Sequence, residues 1–229
     1  MGDASQSELT AAFERWYRWR QTLDEIMRQL LDLHQRRHVW SRYRAYLVDR
    51  WELGDLADTF HDWASKNYAD AMTIGIRRNL DRDTRAVSLV GVMLDMAKSA
   101  AVWKSLADLP PPPPRAISPN PQEFIRAAKR IAALSSDDLK REVEALRVQV
   151  EEILTHADKR IAHTDSDKRN HALPKWERLD EALDAVTAVF LRYHEIVSGA
   201  PCVFEDPSIV MPWEFMLPDM LSKKPSPEQ

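Results

Sequence analysis

Through most of this chain the apolar residues recur at three and four positions, the spacing of a helix that buries one stripe and exposes the rest. From Leu9 through Phe13, Trp16, Leu23, Ile26 and Leu30 to Leu33 the pattern predicts one long amphipathic helix, opened by Ser5 and Glu8 at capping-box spacing. Arg15, Arg18, Arg20 and Arg28 fall on its other face. After a break at Gly54 and Asp55, the positions Leu56, Phe60, Trp63, Tyr68, Met72 and Ile76 outline a further helix ending near Asn79. Asp81 or Asp83 is expected to cap the next, which buries Val87, Leu89, Val90, Met93, Leu94 and Met96. Asn120, Pro121 and Glu123 start a short helix reaching about Leu134. Ser135 or Ser136, with Asp137 and Asp138, then starts a long one through Leu139, Val143, Leu146, Val150, Ile153 and Leu154. A last helix runs from Pro174 to about Ser198, with Trp176, Leu179, Leu183, Val186, Val189 and Phe190 inside, and Gly199 ends it in the manner of a left-handed cap.

The fold class that follows is all-α, an antiparallel helical bundle with additional helices and a C-terminal strap. Runs of alternating β-branched residues are few, and 5 glycines in 229 residues leave little turn chemistry for strands. A chain of this length with 44% hydrophobic residues can bury one sizeable core, so residues 1–222 are expected to form one domain. Pro110 to Pro114 lie in a proline-rich loop, 108–120, where polyproline geometry makes a stiff connector rather than a domain boundary. The proline-broken apolar segment from Pro201 to Leu221 reads as a strap on the bundle or on a partner, and 223–229 as a disordered tail.

No run of about 18 apolar residues occurs, so no membrane span is expected, and the N-terminus lacks the basic start and apolar core of a signal peptide. With a single cysteine, Cys202, no internal disulfide can form, and a cytoplasmic location is the expectation. The net charge of −4 does not favour nucleic acid, so any phosphate-binding surface must be local. One such place is the segment 36–46, where Arg36, Arg37, His38, Arg42 and Arg44 interleave with Trp40, Tyr43 and Tyr46. It reads either as a platform of stacking rings and phosphate contacts or as a solvated helix whose aromatic residues face the core.

The densest candidate chemistry lies in Ile153 to His171, ILTHADKRIAHTDSDKRNH. At α-helical spacing His156, Lys159, Arg160 and His163 share one cationic stripe, and TDSD after His163 places that histidine in a last turn beside a loop. There the negative end of the helix dipole favours its charged form. Cleavage of RNA without a metal needs a base for the 2′-hydroxyl, an acid for the leaving oxygen and a cation on the developing phosphorane, roles open to His163, His156 and Lys159 or Arg160. The same residues would also serve merely to cap a helix end. His156, His163, Asp165, Asp167 and His171 lack the spacing of a familiar zinc or di-iron site, so no metal and no other cofactor is expected. Cys202, in an apolar strap, is assigned no catalysis.

Two stretches make the chain resemble the HEPN superfamily, and within it the AbiU2-like group of bacterial proteins. Asp81, Asp83, Ser88 and Leu89 in LDRDTRAVSL are similar to a D-x-D-x-x-x-x-S-L helix start, and DKRIAH ending at His163 is similar to an arginine-to-histidine motif. The resemblance implies a bundle, usually dimeric, in which an arginine and a histidine four to six residues apart meet their mates at the interface and cleave RNA without metal. His163 matches the histidine, whereas Lys159, Asp158 and Ala157 occupy the three upstream positions and Arg160 lies three before it. Asp165 stands where some relatives have a modified tyrosine. The expected function is therefore a metal-independent endoribonuclease or RNA-binding effector of a bacterial defence or toxin-antitoxin type system. A catalytically inactive scaffold binding RNA or a protein is the alternative. The expected partners are RNA, a second copy of the chain, and an antitoxin or other defence protein.

Overall fold

The long stripe predicted from Leu9 onward forms one helix, α1, Asp3–Val48, whose 46 residues span roughly 70 Å. This computed structural model describes residues 3–48, 55–107, 121–162 and 174–204. Trp16, Trp19, Leu23, Ile26, Leu30 and Leu33 are all buried on the inner stripe of α1, and the remaining helices collect around it. They are α2 (Asp55–Asn79), α3 (Leu89–Ala107), α4 (Pro121–Ala132), α5 (Ser136–Gln149), α6 (Glu151–His156) and α7 (Trp176–Ser198), with a π-helical turn over Ala157–Ala162. The fold is all-α, and no strand occurs among the described residues. The helix begins at Asp3, which puts Ser5 inside it rather than at its cap, a displacement of the size at which helix ends fray.

Helix α1 packs on α7, α2 and α3, and polar contacts fix its register on them. The indole of Trp16 donates to the carbonyl of Val197 at 3.1 Å, closing an orphan acceptor in the last turn of α7. Trp19 donates to Asp95 of α3 at 2.9 Å. Arg37 reaches Asp184 of α7 at 2.6 Å, and Arg20 holds Glu123 of α4 at 2.8 Å. Between these, Phe13, Trp16, Trp103 and Phe124 form an aromatic cluster in which Phe124 meets the other three rings edge-on. Dispersion contacts in that cluster add to the burial of large apolar area. On the far side α5 meets α7 through Glu142, which accepts from Arg192 and from the phenol of Tyr193, at 2.9 and 2.6 Å. Burial pushes that phenol's pKa up, so it remains a donor.

The cap of α3 departs from expectation. The capping side chain is Ser88, not Asp81 or Asp83: its hydroxyl accepts from Gly91 N at 2.9 Å and donates to Asp81 O at 2.7 Å. Both carboxylates instead shape the turns before it, Asp81 accepting from Asp83 N and Asp83 from Arg85 N, each at 2.9 Å. Serine wins because it is fully buried and sits three residues before the amide that needs a partner. Ser135 caps α5 as expected, accepting from Asp138 N at 3.0 Å.

The end of α7 is also as expected. Gly199 adopts φ 76° and returns its N–H to Glu195 O at 2.8 Å. A Cβ there would meet Arg130 Nη2 at 2.7 Å, and Arg130 is itself donating to Ile196 O. Gly199→Ala is expected to lower stability by roughly 1–2 kcal/mol from the left-handed backbone alone. The reading is a lower urea midpoint at unchanged slope, and an unchanged midpoint would mean that the glycine conformation contributes nothing.

Candidate functional site

The stretch Ile153 to His171 begins inside the long helix predicted from Ser135, which is not continuous. Val150 departs to φ −111°, ψ 15°, its N–H still bonded to Leu146 O, so α5 bends there into α6. Ile153 and Val150 stay buried across the bend, which anchors α6 to the core. Past His156 the chain widens into the π-helical turn. Such turns close i→i+5 hydrogen bonds and recur at functional sites.

That widening turns the first two members of the expected stripe apart. Each residue of a wider turn advances less about the axis, so a side chain three positions on no longer stands above the first. His156 is 7% exposed and faces the core, whereas Lys159 is exposed. The two do not share a face. Arg160 lies within the turn, and His163 follows its end, outside the described residues. Asp165, Asp167 and His171 of the metal alternative, the proline-rich loop, the strap beyond Phe204 and the tail also fall outside them.

What the structure does bring to the turn is an arginine from another helix. α2 packs along α6 and the turn, and Arg77, two residues before the end of α2, donates from Nε to Asp158 Oδ1 at 2.8 Å. Both side chains are about half exposed. The Nε contact leaves the Nη face of the guanidinium available to solvent or to an anion. Asp158 is one of the three positions upstream of His163 at which the arginine-to-histidine motif carries its cation. The guanidinium is thus present beside that position, but on Arg77. Periodicity had no means of finding it, since the pair spans 81 residues of sequence; its only trace was RRN at the end of an amphipathic pattern.

The loop that follows α2 adjoins the same corner. Arg147 of α5 donates to Leu80 O at 3.4 Å, and Arg82 pairs with Glu144 at 2.6 Å, so residues 80–88 are tied to α5 just before its bend. Within the loop Arg85 chelates Asp83 through Nε and Nη2. The side-chain and backbone hydrogen bonds from Arg85 hold the Asp83 carboxyl at about 2, well below the usual carboxylate range. Asp83 is therefore anionic at neutral pH and unsuited to act as a general acid. Cys202 is half-buried with Sγ 3.5 Å from Met27 Sδ, and burial pushes its thiol up, away from a reactive thiolate.

The aromatic residues of the segment 36–46 divide between the two readings given for them. Trp40 is buried against Tyr68 and Trp176, and Tyr43 against Phe60 and His61, as the core-facing reading holds, yet both also line an open cavity between α1 and α2. No helix among the described residues is long and apolar enough to cross a membrane.

A family model of the HEPN superfamily, described as AbiU2, matches residues 18–219, a span that takes in the greater part of α1, the whole corner around the π-helical turn, and α7. No curated protein matches, and no solved structure matches.

Proposed function

The chain belongs to the AbiU2 family of HEPN-like abortive-infection proteins, and from that premise we propose that it is a metal-independent endoribonuclease acting as a homodimer in bacterial defence. The observation that carries the reading to this chain is the Arg77–Asp158 contact, which supplies a guanidinium at the turn leading to His163 where the motif itself lacks one. In the proposed reaction His163 exchanges the proton. In one copy it takes a proton from the RNA 2′-hydroxyl as the 2′-oxygen forms its bond to phosphorus, and in the second copy it gives one to the 5′-oxygen as the bond from that oxygen to phosphorus breaks. Arg77 stabilises charge on the non-bridging oxygens of the phosphorane, with Arg160 and Lys159 as further cations on the same turn. Arg160 has the better side chain of the two, since its planar fork matches phosphate oxygens. His156, being buried, supports the turn and is the weakest of the four sequence candidates for direct chemistry.

The alternative is a scaffold that binds RNA or a defence partner without cutting. It is favoured by one observation, that Arg77 is already engaged by a carboxylate. Purified protein incubated with total RNA in EDTA separates the two. Fragmentation supports the nuclease, and binding without fragmentation supports the scaffold.

A further inference from the structure

We infer that the groove between α1 and α2 is the track along which single-stranded RNA approaches the π-helical turn, an inference that rests on the RNA-directed function proposed above. The groove has two chambers. One, of 450 Å³, is lined by Trp40, Tyr43, Phe60 and Tyr68 together with Asn67 and Arg36. The other, of 370 Å³, is lined by Arg28, Arg36 and Arg78 over an apolar floor of Leu33, Ile74 and Gly75. Asp32 and Arg36 line both, so the chambers are neighbours along the two helices. At the floor the Leu33 side chain packs onto the face of Gly75, where a Cβ would lie 2.5 Å from Leu33 Cδ2.

The rings of the first chamber form a fixed wall. Trp40 and Tyr68 stack at 4.9 Å and 14°, and His61 lies against the Trp40 ring at 5.8 Å and 15°. Phe60 and, packed against it at 5.7 Å, Trp63 are 48% and 61% exposed, a large apolar surface for side chains on one short stretch of α2. At the other end, Arg78 adjoins Arg77, whose guanidinium meets the π-helical turn. Along the groove run, in order, the exposed Phe60 ring over a wall of buried rings, a shared arginine, and two further arginines, of which Arg78 is next in sequence to Arg77.

That order fits one ligand chemistry. Single-stranded RNA offers base faces to rings and phosphates to guanidinium groups, whereas a duplex hides its base faces. A second copy docking its apolar surface here would strand three guanidinium groups away from water, which is costly unless each gains a partner. Arg28 and Arg36 lean on Glu25 and Asp32 of their own helix at 2.6 and 2.7 Å. Exposed pairs of that kind hold weakly and can yield to a phosphate.

The test uses the full-length chain carrying His163→Ala, so that no RNA is consumed, with fluorescein-labelled oligouridine and a duplex of equal length in EDTA. Phe60→Ala with Trp63→Ala is expected to weaken single-strand binding about ten- to a hundredfold and to erase the preference over duplex. Phe60→Trp is expected to retain binding. Arg78→Gln is expected to weaken binding and to reduce the slope of affinity against salt by about one phosphate contact. If the parent binds oligouridine and the ring and arginine variants bind equally well, the groove is not the track, while the RNA-directed function stands. If the parent binds no RNA at all, that function fails and the track with it. If the ring variants leave RNA affinity unchanged but convert a dimer to a monomer in light scattering, the groove is an interface between copies and the inference is overturned.

Discussion

Alanine at His163 is expected to slow RNA cleavage in EDTA by about a hundred- to ten-thousandfold, the span attributable to one positioned general acid or base. The expectation rests on chemistry at one atom. With no metal to lower the pKa of the attacking hydroxyl or to neutralise the leaving oxygen, proton transfer must come from a side chain that titrates near neutrality, and histidine is the residue that does. Of the two histidines in Ile153 to Ala162 and its immediate continuation, His156 is turned into the core, which leaves His163. Rates are to be compared at saturating RNA together with thermal unfolding of each protein. A slow variant with an unchanged unfolding temperature has lost chemistry, whereas an undiminished rate would remove His163 from the mechanism.

Arg77→Ala is expected to cost about a hundred- to a thousandfold in the same assay, comparable with loss of one donor aimed at a developing oxyanion. Stability should barely respond, because the Arg77–Asp158 pair is half exposed on both sides and such pairs contribute under about 1 kcal/mol. Arg77→Lys should recover only part of the rate, since an ammonium lacks the planar fork that lets Nε hold Asp158 while the Nη groups face a phosphate. The exchange Arg77→Asp with Asp158→Arg is the sharper version. It returns the guanidinium to the position five residues before His163, and activity should recover relative to Arg77→Asp alone. Full activity in Arg77→Ala would show that the guanidinium is not used, and Lys159 and Arg160 would then have to be replaced in turn.

The parts of this molecule that were legible in its sequence are those written in local periodicity. The stripe from Leu9 to Leu33 gave α1 because those side chains are buried or half-buried on one face, and Gly199 marked the end of α7 because only glycine takes φ 76° without strain. Helix caps were less determinate. Asp81, Asp83 and Ser88 are all short side chains able to accept from a free amide, and which one caps depends on where the backbone turns, a matter of tertiary fit. The candidate site was the least legible. A π-helical turn needs no distinctive residues, yet it separates His156 from Lys159 by rotating one relative to the other. The Arg77–Asp158 pair left no periodic signal either, because two charged residues on exposed faces of different helices look in sequence like any solvated surface.

Whether cleavage runs through the RNA 2′-hydroxyl without a metal shows in the ends of the products. Purified protein, extensively dialysed against EDTA, is incubated with a 5′-labelled single-stranded RNA, and the fragments are resolved by mass. Attack by the 2′-oxygen breaks the bond from phosphorus to the 5′-oxygen, so the upstream fragment carries a 2′,3′-cyclic phosphate and the downstream fragment a 5′-hydroxyl. Metal-independent transfer gives those ends in EDTA, and none with His163→Ala. Fragments ending in 3′-hydroxyl and 5′-phosphate, or cleavage that appears only when magnesium is restored, would contradict it.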